Sequence, residues 1–107
     1  MTTYFVTRHP GAQEWAARHG HQESVLVSHF DPAVIQYGDT VLGTLPVHLA
    51  AEVCRRGAHY YHLSMEVPAS LRGQEITAEV MEALGARLEE FLIVACPFGR
   101  TLARNLP

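Results

Sequence analysis

Two short segments of the chain carry residue types that could hold an anion and move a proton. The first is Thr7-Arg8-His9-Pro10-Gly11 and the second is Gly43-Thr44-Leu45-Pro46-Val47-His48. A guanidinium forms charge-assisted hydrogen bonds to phosphate, and an imidazole gains or loses a proton near neutral pH. Each segment also places a proline where we expect a helix to begin, so the free N–H groups of both helices would face the same anion.

These two segments define the candidate site. We predict that Arg8, His9 and His48 are catalytic. We predict further ligand contacts from the residues around them: Thr7, Pro10, Gly11, Trp15, Gly43, Thr44, Leu45 and Pro46. Simpler interpretations stay open, because Arg8 and His9 can be solvated surface residues and Thr44 can be only a helix cap. Trp15 can belong to the core instead of stacking on a base.

The other histidines and the two cysteines do not form a recognisable metal site. No metal-ligand spacing relates them to acidic or cysteine partners: His19, His21, His29, His59 and His62. Cys54 and Cys96 do not make a disulfide framework or a zinc site, and Cys54 is expected to be a small buried apolar residue. A glycine-rich phosphate loop and a nucleophile elbow are also missing from the sequence. We therefore expect no metal and no cofactor.

The elements that would position the two segments follow from local patterns. Strands are predicted at residues 4–7, 24–30, 40–44 and 58–65, and the second is expected to be buried on both faces. The strand at 58–65, which carries two histidines, is expected near a sheet edge or a subunit contact. Helices are predicted at residues 12–19 and 46–56, with one helical turn and a loop in residues 31–39. A third helix, capped by Thr77, is expected to keep Val80, Leu84, Leu88 and Phe91 on one face.

This β-α-β-β-α-β-α order predicts an α/β domain with three layers and a mainly parallel sheet. In such sheets a ligand binds outside the carboxyl ends of the strands, which is where both candidate segments lie. With 107 residues, the chain is expected to form one domain over residues 1–95, followed by an irregular tail at residues 96–107.

The overall charge limits the class of ligand. The formal net charge is −3 and the chain has no lysine, which argues against a protein that coats duplex nucleic acid. A small anionic ligand in a local pocket remains compatible. The longest apolar run, at residues 91–96, is too short to span a bilayer, and the first residues do not form a secretory leader. We expect a cytoplasmic protein that binds neither duplex nucleic acid nor membranes.

Both segments, with the residues around them, resemble a family of very small CRISPR-associated proteins. These proteins accompany type III systems and look like stand-alone ring nucleases. The similarity covers about residues 2–90, includes Gly57-Ala58 and His62-Leu63-Ser64, and rests chiefly on these stretches: Tyr4-Phe5-Val6-Thr7-Arg8-His9-Pro10-Gly11-Ala12, Glu14-Trp15-Ala16, Gly38-Asp39-Thr40-Val41 and Gly43-Thr44-Leu45-Pro46-Val47-His48-Leu49-Ala50. The resemblance implies a Rossmann-like, CARF-like domain that forms a two-fold dimer around a cyclic oligoadenylate, with cyclic tetra-adenylate as the expected ligand.

For such a ligand we infer metal-independent cleavage of the messenger by its own ribose 2′-OH, and the residue roles are likewise our inference. Arg8 would hold the phosphate, His9 or His48 would transfer protons, and Thr44 would contact phosphate or ribose. The products would be linear fragments that end in a 2′,3′-cyclic phosphate. A protein that sequesters the messenger without cutting it is the main alternative, because it would use the same loops. A more distant alternative is a phosphate-ester enzyme that acts on another nucleotide.

Overall fold

The computed structural model describes residues 1–21 and 24–99, and over those ranges the chain forms five strands and three α-helices. The strands are β1 (Thr3–Val6), β2 (Val25–Val27), β3 (Thr40–Gly43), β4 (His59–Ser64) and β5 (Arg87–Phe91). The α-helices are α1 (Pro10–Arg18), α2 (Val47–Arg55) and α3 (Ala78–Ala83). A single 3₁₀ turn at Pro32–Val34 confirms the short connection predicted there. Residues 96–99 form no helix or strand, and the rest of the predicted tail, residues 100–107, lies outside the described ranges.

The five strands form one sheet in the order β2-β1-β3-β4-β5. β1, β2, β3 and β4 run parallel, and β5 pairs antiparallel with β4. Val6 pairs with Val27 on one side and with Gly43 on the other. The carboxyl ends of β1, β2 and β3 are therefore level, and the loops that follow them leave from the same edge of the sheet.

Helices cover both faces of this sheet, because the side chains of a strand alternate between its faces. Phe5, Leu42 and Leu63 form one core with residues of α1 and α3, and Val41 and Tyr60 form the other core with residues of α2. The predicted three-layer α/β architecture with a mainly parallel sheet is confirmed, and it is compatible with a Rossmann-like fold.

The prediction that the second strand is buried on both faces is wrong. β2 has three residues instead of seven, lies at the edge of the sheet and pairs with β1. Val25 is 49% exposed and Leu26 is 55% exposed. A run of three apolar residues looks the same at an edge as in the centre of a sheet, because strand order is set by the crossover that follows and not by the run itself. Here the chain crosses β1 to form β3 on its other side.

The strand at residues 58–65, expected near a sheet edge or a subunit contact, is β4, and it lies between β3 and the edge strand β5. It is therefore one strand from the edge, and the subunit contact stays a prediction. The sequence analysis missed β5, which replaces the second half of the predicted third helix. α3 ends at Ala83, and Gly85 then adopts a φ of 73°, a left-handed conformation that suits glycine and stops the helix. The position of Leu88 fits the apolar spacing of a helix and of a strand equally well. Leu88 pairs with Leu63 of β4, so the segment forms a strand.

The end of the sheet opposite the candidate site is fixed by Asp39, which is 4% exposed. Its two carboxylate oxygens accept the N–H groups of Thr2 and Gln36, each at 2.9 Å. These bonds, first the one from Thr2, lower the pKa of Asp39 below its ordinary value. A lowered pKa means that the folded state favours the ionised form. This contribution to stability is therefore complete above the ordinary carboxyl pKa and is lost as the pH falls through the folded pKa.

We therefore expect Asp39→Asn to lower the free energy of unfolding by about 1–3 kcal/mol at neutral pH, because the new NH₂ group must face one of the two N–H donors. Urea denaturation at neutral pH and at pH 3 measures this cost, and the difference between variant and wild type should shrink in acid. Asp31→Asn is the control, because Asp31 accepts one N–H group at an exposed position. Equal losses of stability in the two variants would contradict the assignment.

Candidate functional site

The candidate site lies where the connections of the sheet diverge. From β1 the chain continues through α1 on one face to β2, and from β3 it continues through α2 on the other face to β4. The two helices therefore start on opposite sides of the boundary between β1 and β3. In open α/β sheets this divergence leaves a crevice at the carboxyl ends of the strands, where ligands bind.

A cavity of about 360 Å³, called here the switch-point cavity, occupies this crevice. Residues that follow three different strands line it: Val6, Thr7, Arg8, His9, Ser28, His29, Phe30, Thr44, Pro46 and Leu49. The structure thus brings together five of the predicted site residues, namely Thr7, Arg8, His9, Thr44 and Pro46. Of the lining residues, Arg8 alone carries a permanent charge, so it is the group best suited to attract an anion to the cavity.

The first loop is held by one hydrogen bond to β2 and by one within the loop. The N–H of Thr7 donates to the carbonyl of Val27 at 3.0 Å, and the hydroxyl of Thr7 accepts the N–H of His9 at 3.1 Å. Nδ1 of His9 lies 3.7 Å from a carboxylate oxygen of Glu75, and both side chains are 73% exposed. The backbone of the loop is therefore fixed, while the histidine beside it stays accessible to a ligand.

The second loop is fixed by Tyr60, which is 1% exposed. Its hydroxyl accepts the N–H of Leu45 at 2.9 Å, and its single hydrogen can be donated to the carbonyl of Gly43 at 3.2 Å or to Nδ1 of His62 at 2.7 Å. Burial raises the pKa of Tyr60, so the hydroxyl stays neutral. Tyr60 thereby ties the backbone around Thr44 to the middle of the sheet.

Gly43 allows the two loops to approach each other. It adopts a φ of 150°, and a Cβ there would lie 2.6 Å from the carbonyl oxygen of Val6. A side chain at this position would therefore push β3 away from β1 at the edge where the cavity opens. The glycine is needed for the geometry of the site, and it supplies no functional group of its own.

A family model described as "Putative CRISPR-associated protein (Cas_VVA1548)" matches residues 4–94. The chain belongs to this family. Neither the curated proteins nor the solved structures gave a significant match. The match covers β2 to β5, all of β1 except Thr3, and both candidate segments of this CRISPR-associated protein.

Three of the predicted ligand contacts near the first loop lie away from the cavity. Trp15 is 2% exposed and stacks on the ring of His19, with 4.3 Å between the ring centroids. It therefore belongs to the core and cannot stack on a base, so the simpler interpretation is the correct one. Gly11 packs against the backbone of Ile76, where a Cβ would lie 2.0 Å from the carbonyl oxygen. Pro10 is the exposed first residue of α1.

Two predicted residues of the second segment also differ from expectation. Leu45 is 8% exposed and its N–H is occupied by Tyr60, so Leu45 supports the loop instead of contacting a ligand. His48 is the second residue of α2 and lines a separate cavity of about 330 Å³ with Cys54, Arg55 and Leu92. Within one chain His9 and His48 therefore do not face a common ligand. Cys54, expected to be buried, is half-buried, and its thiol contacts the carbonyl of Phe91 at 3.7 Å.

The sequence analysis missed residues that follow β2. Ser28, His29 and Phe30 line the switch-point cavity, but the prediction placed them inside a longer strand. The apolar run ends at Val27, so a shorter strand would have put Ser28 and His29 at the same edge as the other two loops. Tyr60 carried no such signal, because its hydrogen bonds reach 15 and 17 residues along the chain.

Across residues 1–21 and 24–99, no three His, Cys, Asp or Glu side chains lie close enough together to hold a metal ion. None of the helices in those ranges has the length and apolar character needed to cross a bilayer.

Proposed function

We propose that this CRISPR-associated protein is a ring nuclease that binds and cleaves a cyclic oligoadenylate, with cyclic tetra-adenylate as the preferred ring. One observation carries the proposal. Thr7, Arg8, His9 and Thr44 converge on one cavity at the switch point of the sheet, in a chain of a CRISPR-associated family. This combination of a guanidinium, a histidine and hydroxyl groups suits a phosphodiester next to a ribose.

The reaction proposed is an internal transesterification. The ribose 2′-oxygen attacks the neighbouring phosphorus, the bond from phosphorus to the 5′-oxygen breaks, and the 2′,3′-cyclic phosphate forms. The 2′-OH gives its proton to a base, and the departing 5′-oxygen receives a proton. His9 is our candidate for one of these transfers, and Arg8 balances the charge that develops on the phosphate. Because the nucleophile belongs to the messenger, the protein has only to align it.

The size of the cavity supports a dimer. About 360 Å³ lies near the lower limit of small-ligand pockets, roughly 300–1,000 Å³, which suits about one nucleotide and not a ring of four. A two-fold dimer would offer a symmetric ring two copies of each loop. We propose that the contact involves the exposed apolar side chains of Val47, Leu92 and Val94, which are 70–80% exposed at the start of α2 and after β5. His48, in the same region, would then act only if the dimer brought it to the ring.

Incubation of the purified protein with cyclic tetra-adenylate in EDTA tests the proposal. We expect linear products with a 2′,3′-cyclic phosphate, and we expect a ring with 2′-deoxyribose to bind without being cut. A messenger that binds and stays intact would establish sequestration instead. Activity that disappears in EDTA and returns with manganese would overturn the metal-independent mechanism. A protein that neither binds nor cleaves cyclic tetra-adenylate would contradict the proposed function. Light scattering of the same samples decides whether the active species is a dimer.

A further inference from the structure

A third cavity, of about 180 Å³, lies beside the switch-point cavity and has no role in the mechanism above. It is called here the apolar cavity. Its walls come from β1, α1, the end of β3, β4, α3 and the segment before α3. Most of its lining residues are apolar: Phe5, Val6, Ala12, Leu63, Met65, Ile76 and Met81.

The two cavities share a wall. Val6, Thr7, His9 and Thr44 line both of them. A ligand whose phosphate lies at Arg8 therefore has the apolar cavity within the length of the same nucleotide. Because a nucleotide joins a charged group to a flat apolar ring, a charged cavity beside an apolar one matches its two halves.

The apolar cavity has the size and lining of a site for one aromatic ring system. A buried apolar cavity of about 150 Å³ holds a benzene molecule, so 180 Å³ admits a small heterocycle. The thioethers of Met65 and Met81 are polarisable groups that pack well against aromatic rings. Gln74 adds a carboxamide to the wall, and its NH₂ group donates to the carbonyl of Ser70 at 3.0 Å, which restrains the side chain.

A glutamine amide distinguishes adenine from the other bases, because it can accept from the amino group at C6 while donating to N7. Guanine and hypoxanthine carry a carbonyl oxygen at C6 and cannot make the first of these bonds. We propose that the apolar cavity is a purine subsite that takes an adenine of the messenger, with Gln74 as the residue that selects it. The identity of the ligand rests on the proposed function, whereas the subsite itself can be tested with a single nucleotide.

Methionine methyl NMR reports on the cavity directly. The chain has three methionines; Met65 and Met81 line the apolar cavity, and Met1 lies beside Gly38 at the opposite end of the sheet. We expect AMP to shift the ¹³C-methyl signals of Met65 and Met81 through the ring current of adenine and to leave Met1 unchanged. Ribose 5-phosphate, which has no base, should leave all three signals in place. An AMP titration that shifts neither Met65 nor Met81 overturns the subsite.

Paired variants test the same inference by affinity. Ala12→Leu fills the cavity, so we expect AMP to bind at least tenfold more weakly while ribose 5-phosphate binds as before. Ala17→Leu is the control, at an exposed position of the same helix.

Gln74→Ala should reduce the preference for AMP over IMP about fivefold, and Gln36→Ala, at an exposed position, should leave that preference unchanged. Gln74 is itself exposed, so this variant stays informative if Ala12→Leu does not fold. Unchanged AMP binding in a folded Ala12→Leu protein contradicts the subsite, and an unchanged preference in Gln74→Ala contradicts the role of Gln74.

The outcomes separate this inference from the proposed function. If cyclic tetra-adenylate is cleaved but AMP and ribose 5-phosphate bind equally, the result supports the ring nuclease activity and contradicts the purine subsite. If AMP binds in the apolar cavity and cyclic tetra-adenylate is neither bound nor cut, the result supports the subsite and contradicts the ring nuclease activity.

Discussion

Replacing Arg8 by alanine is expected to weaken binding of cyclic tetra-adenylate by roughly tenfold to 150-fold, since a hydrogen bond to a charged group contributes about 1.5–3 kcal/mol. Arg8 carries the permanent charge in the switch-point cavity, so the loss should fall on affinity and on turnover alike. Calorimetric titration with a 2′-deoxy ring measures the affinity without interference from cleavage. The dependence of affinity on salt should also become shallower in the variant.

Two substitutions make the result for Arg8 specific. Arg8→Lys keeps the charge but loses the planar fork, so it should recover part of the affinity and not all of it. Arg87→Ala removes an exposed arginine of β5 that pairs with Glu89 at 3.0 Å, and it should bind like the wild type. If Arg8→Ala bound the ring with unchanged affinity, the phosphate site would have to lie away from the first loop.

The convergence of the two candidate loops could be predicted because local signals and topology agree. Arg8 and His9 follow a short strand and precede a proline, and Thr44 stands in the same context after another strand. Since the carboxyl ends of parallel strands meet at one edge, the two loops had to converge once the sheet was known to be parallel. The pairing register of β1 and β3 brings the two loops level with each other, because Val6 pairs with Gly43 and the residues that follow lie side by side.

The predictions failed where long-range pairing decides between two local possibilities. Val25 and Leu26 have the composition of a central strand and lie at an edge, because the next strand pairs with the other side of β1. Leu88 fits a helix as well as a strand, and only Leu63 across the sheet resolves the choice. The role of Trp15 also depends on long-range contacts. Its position on α1 fits a base-stacking residue or a core residue, and the residues that α1 packs against place it in the core.

The residues that support the candidate site could not be predicted from the sequence for the same reason. Nothing near Tyr60 in the sequence indicates that its hydroxyl holds the N–H of Leu45. Glu75 precedes α3 by three residues and approaches His9 only because Gly11 lets the segment of Ile76 lie against the start of α1. Sequence patterns thus predicted the groups that could meet a ligand, whereas the groups that hold them in place depend on contacts between distant segments.

Replacing His9 by alanine is the second substitution for which we expect a large effect, and it separates chemistry from binding. His9 adjoins Arg8, lines both the switch-point cavity and the apolar cavity, and is 73% exposed. A residue that transfers a proton in the rate-limiting step contributes about 10²–10⁴-fold. We therefore expect a loss of roughly a hundredfold in the single-turnover rate with little change in affinity, as for an interaction made mainly in the transition state.

The other histidines of this region serve as comparisons for His9. His29 lines the same cavity, so His29→Ala tests whether it provides the second proton transfer. His48 lines a separate cavity in the single chain, so a large loss in His48→Ala would indicate that a dimer brings it to the ring. If His9→Ala, His29→Ala and the double variant all cleave at the normal rate, neither histidine transfers a proton. Catalysis would then rest on alignment of the 2′-OH by Arg8, Thr44 and the backbone that Tyr60 holds.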